Sequence, residues 1–148
     1  MRPMETGISV TRLDHDSPER FVGLGRALGA SGLGLNQIVL RPGQRGRIHT
    51  HEHQEEVFII LRGTLTLEIE GTQQDIATDE LVRIAPAVRR RLLNLGPGVC
   101  SMIALGAAGT HERRDGLAYT DWDAPEALPP QEVPLPDDLP PSELRTTG

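Results

Sequence analysis

Apolar and polar positions alternate cleanly through residues 64–70, where Leu65, Leu67 and Ile69 fall on one side and Thr64, Thr66, Glu68 and Glu70 on the other. A period of two is the mark of a strand with one face buried. Residues 57–61, VFIIL, are apolar without interruption, which predicts a strand covered on both faces. Residues 34–40, 81–84 and 99–105 are three more β-prone runs. Turn-forming groups separate these runs: RPGQRG at 41–46, RG at 62–63, EG at 70–71, TDE at 78–80, APA at 85–87 and GPG at 96–98. Short strands punctuated this regularly predict an all-β sandwich or barrel. One short helix is predicted over 17–24, because SPER reads as an N-cap, a proline at the first helical position and an early acid.

The pattern changes near residue 120. Seven of the 12 prolines lie beyond it, in APEALPPQEVPLPDDLPPSE. Proline removes backbone donors and favours extended chain. Residues 1–120 therefore read as one barrel domain with its core at about 33–106, and residues 121–148 as a Pro-rich acidic tail. Two readings of the tail stand side by side. It is a disordered or surface-draped end, or it is an arm packed along its own barrel or a partner subunit, anchored by Tyr119, Trp122, Val133 and Leu135.

Charge sharpens the division. The chain of 148 residues has a net charge of −6. The tail holds seven acids against Arg145, while the body balances its arginines and acids. A neutral body with an acidic tail lacks the basic face that nucleic acid requires. Phe21, Phe58, Tyr119 and Trp122 are the only aromatic residues, too few for base-stacking platforms. All 15 basic residues are arginine, so Schiff-base chemistry, which needs a lysine amine, is excluded. The first residues hold no apolar leader, and no run approaches the roughly 20 apolar residues of a membrane helix. The expectation is a cytoplasmic protein with no membrane partner. The single Cys100, among apolar neighbours, reads as a buried structural thiol. His15 and His111 read as surface residues.

Chemistry concentrates in HTHEHQEE, residues 49–56, which hold three of the five histidines. On a strand, His49 and His51 point the same way. Glu56 has the opposite parity and joins them only if the chain turns between 51 and 56. Two imidazoles and a carboxylate suit Zn, Mn, Fe or Ni; the plainer reading is a solvated polar loop. The spacing of Gly43, His49, His51, Glu56 and Gly63, G-x5-H-x-H-x4-E-x6-G, resembles the first signature motif of the cupin superfamily, and the likeness extends over residues 33–106. The resemblance implies a jelly-roll barrel (a double-stranded β-helix) with a divalent metal ion held inside by His49, His51 and Glu56, and a homodimer joined through its sheets.

The family's second motif, G-x5-P-x-G-x2-H-x3-N, has a degenerate counterpart in DELVRIAPAVRRRLLN. Asn94 is retained. Asp79, Ala85 and Ala87 stand where the motif has glycine, proline and glycine, and Arg90 stands where it has the fourth ligand, a histidine. A guanidinium stays protonated and does not ligate metals. Three arrangements are open. The metal keeps three ligands, with His53 as a replacement fourth, and Arg90 holds an anionic ligand. The metal is lost and Arg90 pairs with Glu56. Or Arg90 points outward, and residues 89–91 guard an edge strand with charge. The functions that follow are a metal-dependent oxygenase, isomerase or hydrolase; a small-molecule binding or sensor module, with Arg90, His53 and Arg47 as ligand-binding residues; and an interaction protein that uses its tail.

Overall fold

The computed structural model describes residues 7–107 and 115–147. Among the described residues, ten strands and one short α-helix follow in order: β1 (Phe21–Gly23), α1 (Leu24–Leu28), β2 (Gly34–Leu40), β3 (Ile48–His51), β4 (Glu55–Arg62), β5 (Leu65–Ile69), β6 (Thr72–Ile76), β7 (Leu81–Ile84), β8 (Arg91–Leu93), β9 (Cys100–Ala107) and β10 (Gly116–Tyr119). The first sheet has the order β1-β2-β9-β4-β7, all antiparallel. Opposite it, β6-β5-β8 and β10-β3 are joined where His49 and Arg90 exchange backbone hydrogen bonds of 2.9 and 3.1 Å. This is the all-β, two-sheet barrel that the turn spacing predicts, in the jelly-roll form that the resemblance implies.

Register explains the core. Phe58 and Ile60 of β4 share a face with Ala104 and Met102 of β9, which in turn oppose Asn36 and Ile38 of β2. From the other sheet Leu65, Leu67 and Leu92 close on this row. Phe58, Ile60 and Leu65 are fully buried, each gaining roughly 1.5 to 3 kcal/mol over exposure. Cys100 joins the cluster, and burial pushes its thiol pKa up to about 12, so it is an inert packing group.

Several expectations need correction. The helix predicted over 17–24 does not form. Ser17 Oγ instead accepts from Glu19 N at 3.1 Å in a bend, and Phe21–Gly23 pairs with β2. Sheet pairing outweighs the local helix signal, and the helix starts only at Leu24. Residues 57–61 are not covered on both faces: Phe58 and Ile60 are buried, but Val57, Ile59 and Leu61 on the outer face are only half-buried. β8 is not an edge strand, since it lies between β5 and the His49–Arg90 bridge. His15 is half-buried, with Nδ1 2.8 Å from Ser101 Oγ. His111 lies outside the described residues.

Turns carry the motif positions that are not ligands. Gly63 has φ +71°, and a Cβ there would stand 2.3 Å from the Val99 carbonyl oxygen. Asp79, in the place of the second motif's first glycine, has φ +72°; aspartate is among the few side chains that tolerate this region. Asn94 is buried and ties three backbone groups. Its Nδ2 donates to Leu40 O and Gly98 O at 2.8 Å each, and its Oδ1 accepts from Gly96 N at 2.7 Å.

The Pro-rich segment packs on its own barrel. Leu128 and Ala118 exchange two 2.8 Å backbone bonds, which extends the sheet edge at β10. Val133 is buried, while Leu135, also expected as an anchor, is exposed. Arginines supply most of the remaining hold. Arg45 donates twice to Asp137 O, Arg47 donates to Val133 O, and Arg89 donates to Trp122 O and Ala124 O while lying 3.7 Å over the Tyr119 ring. Leu139 N reaches Gly43 O at 2.8 Å.

Two outcomes are expected in denaturant unfolding. Gly63→Ala loses about 3 kcal/mol or more, because it adds a backbone collision to a left-handed φ; Gly71→Ala, at φ +80° with open space around it, loses only about 1 to 2 kcal/mol. Removal of residues 121–148 lowers stability by about 3 kcal/mol or more, as Val133 leaves its pocket and the guanidinia lose their carbonyls. An unchanged unfolding midpoint would show that the arm adds nothing to the barrel.

Candidate metal centre

Strand alternation puts Ile48 and Thr50 on the buried side of β3, and His49 and His51 together on the other face. Their ring centroids are 5.5 Å apart, edge to face. The chain then turns through residues 52–54 and re-enters as β4. That turn resolves the parity conflict, because Glu56 now lies on the inward row of β4, two residues before Phe58, with Ile84 and Gly106 as its cross-strand partners. Arg90 sits beside His49 across the sheet and has 0 % of its surface exposed. The structure therefore brings His49, His51, Glu56 and Arg90 together.

Donor positions are set from behind. His49 Nδ1 lies 3.1 Å from the Arg47 carbonyl oxygen, a bond that only an Nδ1–H can make. Its Nε2 lies 3.4 Å from Glu56 Oε1. His51 presents Nε2 to Glu56 Oε2 at 3.3 Å, with Nδ1 turned 3.4 Å from Asp115 Oδ2. Donor atoms about 2.1 Å from an ion stand roughly 3 to 3.5 Å from one another, and these spacings fit. Both Nε2 atoms face one carboxylate, where they either carry protons and donate to it or leave their lone pairs to a cation. Such a group needs a shared cation or a proton. The donor set therefore fits a divalent metal.

Arg90 supplies one positive charge. Its Nη1 donates to Pro86 O at 3.1 Å and Val88 O at 2.9 Å, and its Nη2 pairs with Glu56 Oε1. The outward arrangement is thereby excluded. Arg89 and Arg91 point away, to the arm and to Glu68. Burial raises the pKa of Glu56, but hydrogen bonds from His49 and His51, and then the charges of His49 and Arg90, outweigh burial and hold the carboxyl well below its usual range. Glu56 stays charged at any ordinary pH.

His53 and Arg47 are not brought into this cluster. The His53 side chain is 67 % exposed and bonds to Asp115; Arg47 spends its Nε on the arm. Asp115 escaped the sequence reading altogether. Its side chain is 1 % exposed, and its carboxylate accepts from His53 N, from Gln54 N at 2.8 Å and from the His53 ring. Burial raises its pKa, but these bonds and the charge of His51 together hold it below the ordinary value. In sequence it is one acid in RRDG, more than sixty residues from the histidines. The one available signal was general: metal-binding imidazoles usually turn their far nitrogen to an acceptor. Among the described residues, no helix is long and apolar enough to cross a membrane.

Comparison with known proteins agrees with this fold. A comparison with curated proteins found no match. Solved structures share the fold. A cupin protein from Bacteroides fragilis is 22% identical over 82% of this chain and 98% of its own, with a TM-score of 0.61. A putative sugar phosphate isomerase from Acidithiobacillus ferrooxidans is 20% identical over 80% of each chain, at 0.56. An oxalate oxidase in complex with the substrate analogue glycolate is 16% identical over 68% of this chain and 57% of its own, at 0.51. At these identities the likeness is one of fold. The cupin domain family matches residues 36–106, which span both motif regions; with its two-sheet barrel and its His-His-Glu group, this chain belongs to the cupin superfamily.

Proposed function

We propose that the barrel holds a divalent metal, Zn, Mn, Fe or Ni, on His49, His51 and Glu56, and binds a small anionic molecule beside it with the help of Arg90. The supporting observation is the convergence of both Nε2 atoms on one carboxylate that burial alone would discharge. When bound there, the ion supplies Lewis acidity toward an oxygen of the ligand. The chain's own residues do the rest. Arg47 O fixes the His49 ring, Glu56 offers Oε2 while Oε1 is held by Arg90, and Arg90 gives the site a charge that no pH change removes. Two neutral imidazoles, one carboxylate, one guanidinium and a divalent ion leave net positive charge in a buried place. A carboxylate-type ligand offsets it, and a planar guanidinium suits that shape. The oxalate oxidase of the same fold, seen with glycolate, illustrates that such a barrel can accommodate a small acid. Reaction of the oxygenase or isomerase kind is the finer form of this reading.

A second reading has its own observation. The Arg90–Glu56 pair fills the fourth-ligand position with a cation, which describes a metal-free binding or sensor module without turnover. Under either reading we propose a homodimer joined through the outer face of the first sheet. Val57, Ile59, Ile103 and Leu105 lie half-buried in adjacent strands there, and Leu81 is 63 % exposed.

Elemental analysis of tag-free protein is expected to find close to one metal per chain. The double variant His49→Ala/His51→Ala should lose it while its metal-free melting temperature stays near that of the parent. No metal after refolding with excess Zn, Mn, Fe or Ni would remove the first reading in favour of the second. Arg90→Gln is expected to weaken binding of small carboxylates roughly 10- to 100-fold, the loss of one charge-assisted hydrogen bond, as read by calorimetric titration; unchanged affinity would place the anion elsewhere.

A further inference from the structure

Gln37 and Ser101 alternate with core residues along β2 and β9, so both side chains lie on the outer face of the first sheet. Both are nevertheless fully buried, because the chain before β1 crosses them. Asp14 N donates to Gln37 Oε1 at 3.1 Å, Gln37 Nε2 donates to Asp14 O at 3.2 Å, and His15 Nδ1 lies 2.8 Å from Ser101 Oγ. Further back along the chain, Ser9 Oγ donates to Leu28 O at 2.7 Å. Among the described residues the backbone of residues 8–13 makes no hydrogen bond, so this segment is a layer laid on the sheet and not a further strand of it. The β4 and β7 side of the same face, with the adjoining part of β9, carries no such layer among the described residues. Val57, Ile59, Ile103 and Leu105 are half-buried there, Leu81 is exposed, and the charged pair Glu55 and Arg83 is neutralised within itself.

Such a face is raised along its β2 side and low along its β7 side. A two-fold axis makes both copies use the same patch, and the relief decides where the axis runs. An axis in the plane of the interface but across the strands stacks raised layer on raised layer and holds the two apolar halves apart. An axis along the strands seats each raised layer on the low half of the other copy, so that both apolar halves close. The layer carries matching apolar groups: Ile8 and Val10 are 64 % and 75 % exposed, with only Ser9 between them. We propose that the segment before β1 is the contact element of a two-fold dimer whose axis runs along the strands of the first sheet, with Ile8 and Val10 of each copy seated on β4 and β7 of the other, beside Leu81. The arrangement rests on the homodimer proposed above and gives it an axis and a contributed segment.

The test uses Val10→Cys and Leu81→Cys, co-expressed with different tags so that mixed dimers can be isolated, and a short bis-maleimide. Cys100 is buried and does not compete. The expected product joins position 10 of one chain to position 81 of the other, in excess over 10–10 and 81–81 links. Links between like positions alone would place the axis across the strands and overturn the arrangement, as would the absence of any link in a protein that is dimeric. Sedimentation equilibrium gives the second readout. Val10 is exposed in the single chain, so Val10→Arg leaves the barrel folded; it is expected to weaken dimerisation roughly 10- to 100-fold. A variant that dimerises as tightly as the parent removes the segment from the interface while the dimer stands. Wild-type protein that stays monomeric at every concentration removes the homodimer itself, and this arrangement with it, and leaves the apolar face to a different protein.

Discussion

A carboxylate on the inward face of a hydrophobic strand is the constraint around which the barrel is organised. Glu56 occupies the row of Phe58 and Ile60, where an isolated charge is strongly disfavoured. Its neighbours exist in an arrangement that keeps it charged. Arg90 reaches it from the facing sheet with no surface of its own exposed, and two imidazoles approach its two oxygens. Removing Arg90 would leave the buried carboxylate without its permanent cation, which costs more than the pair gains. The His49–Arg90 backbone bridge belongs to the same logic, because it links β3 to β8 and fixes the distance between the histidines and the guanidinium.

The arm follows a second chemical rule. A proline-rich segment keeps its carbonyls but loses many amide donors, so it has a surplus of acceptors. The barrel offers the complement. Arg45, Arg47 and Arg89 each donate to arm carbonyls, and Arg145 on the arm pairs with Asp75 of β6 at 2.7 Å. A planar guanidinium has several donors in a fixed fork, which an ammonium lacks. The exclusive use of arginine thus serves the arm as well as the centre. Arg47 belongs to both: its side chain holds Val133 O while its own carbonyl orients His49. The arm and the candidate metal ligand are tied through one residue.

Sequence periodicity made much of this legible. The runs at 34–40 and 81–84 coincide with β2 and β7, and the spacing of Gly43, His49, His51, Glu56 and Gly63 pointed to the right family and to three side chains that the fold brings together. What escaped has physical reasons. β6, TQQDI, is polar at four of five positions and mostly exposed, so no hydrophobic period marks it; its hairpin with β5 is made by Glu70 and Gly71, both at positive φ, as a tight two-residue turn requires. Parity could not orient residues 89–91, because Leu92 and Leu93 are both buried. The direction of Arg90 is set by an unlike partner, Glu56, across the barrel. Asp115 was invisible for the same reason as most supporting groups: its role depends on strand register between β10 and β3, not on neighbours in sequence.

Arg90 at the position of a family histidine changes what the interior can accept. A histidine there would be a neutral donor and would leave Glu56 free at both oxygens. The guanidinium instead occupies Oε1 and leaves Oε2 beside His51. Glu56 can then serve an ion through one oxygen while the other stays with Arg90. The exchange trades a ligand bond for a permanent cation whose Nε has no hydrogen-bond partner among the described residues. A buried N–H without a partner is costly, and it offers a bond to whatever enters. Under the proposed function, the charge and the spare donor favour the same kind of guest, a compact anion with acceptor oxygens, over neutral or cationic ones. Selectivity in this barrel, under that same function, therefore follows from Arg90, one of the four departures that make its second motif degenerate.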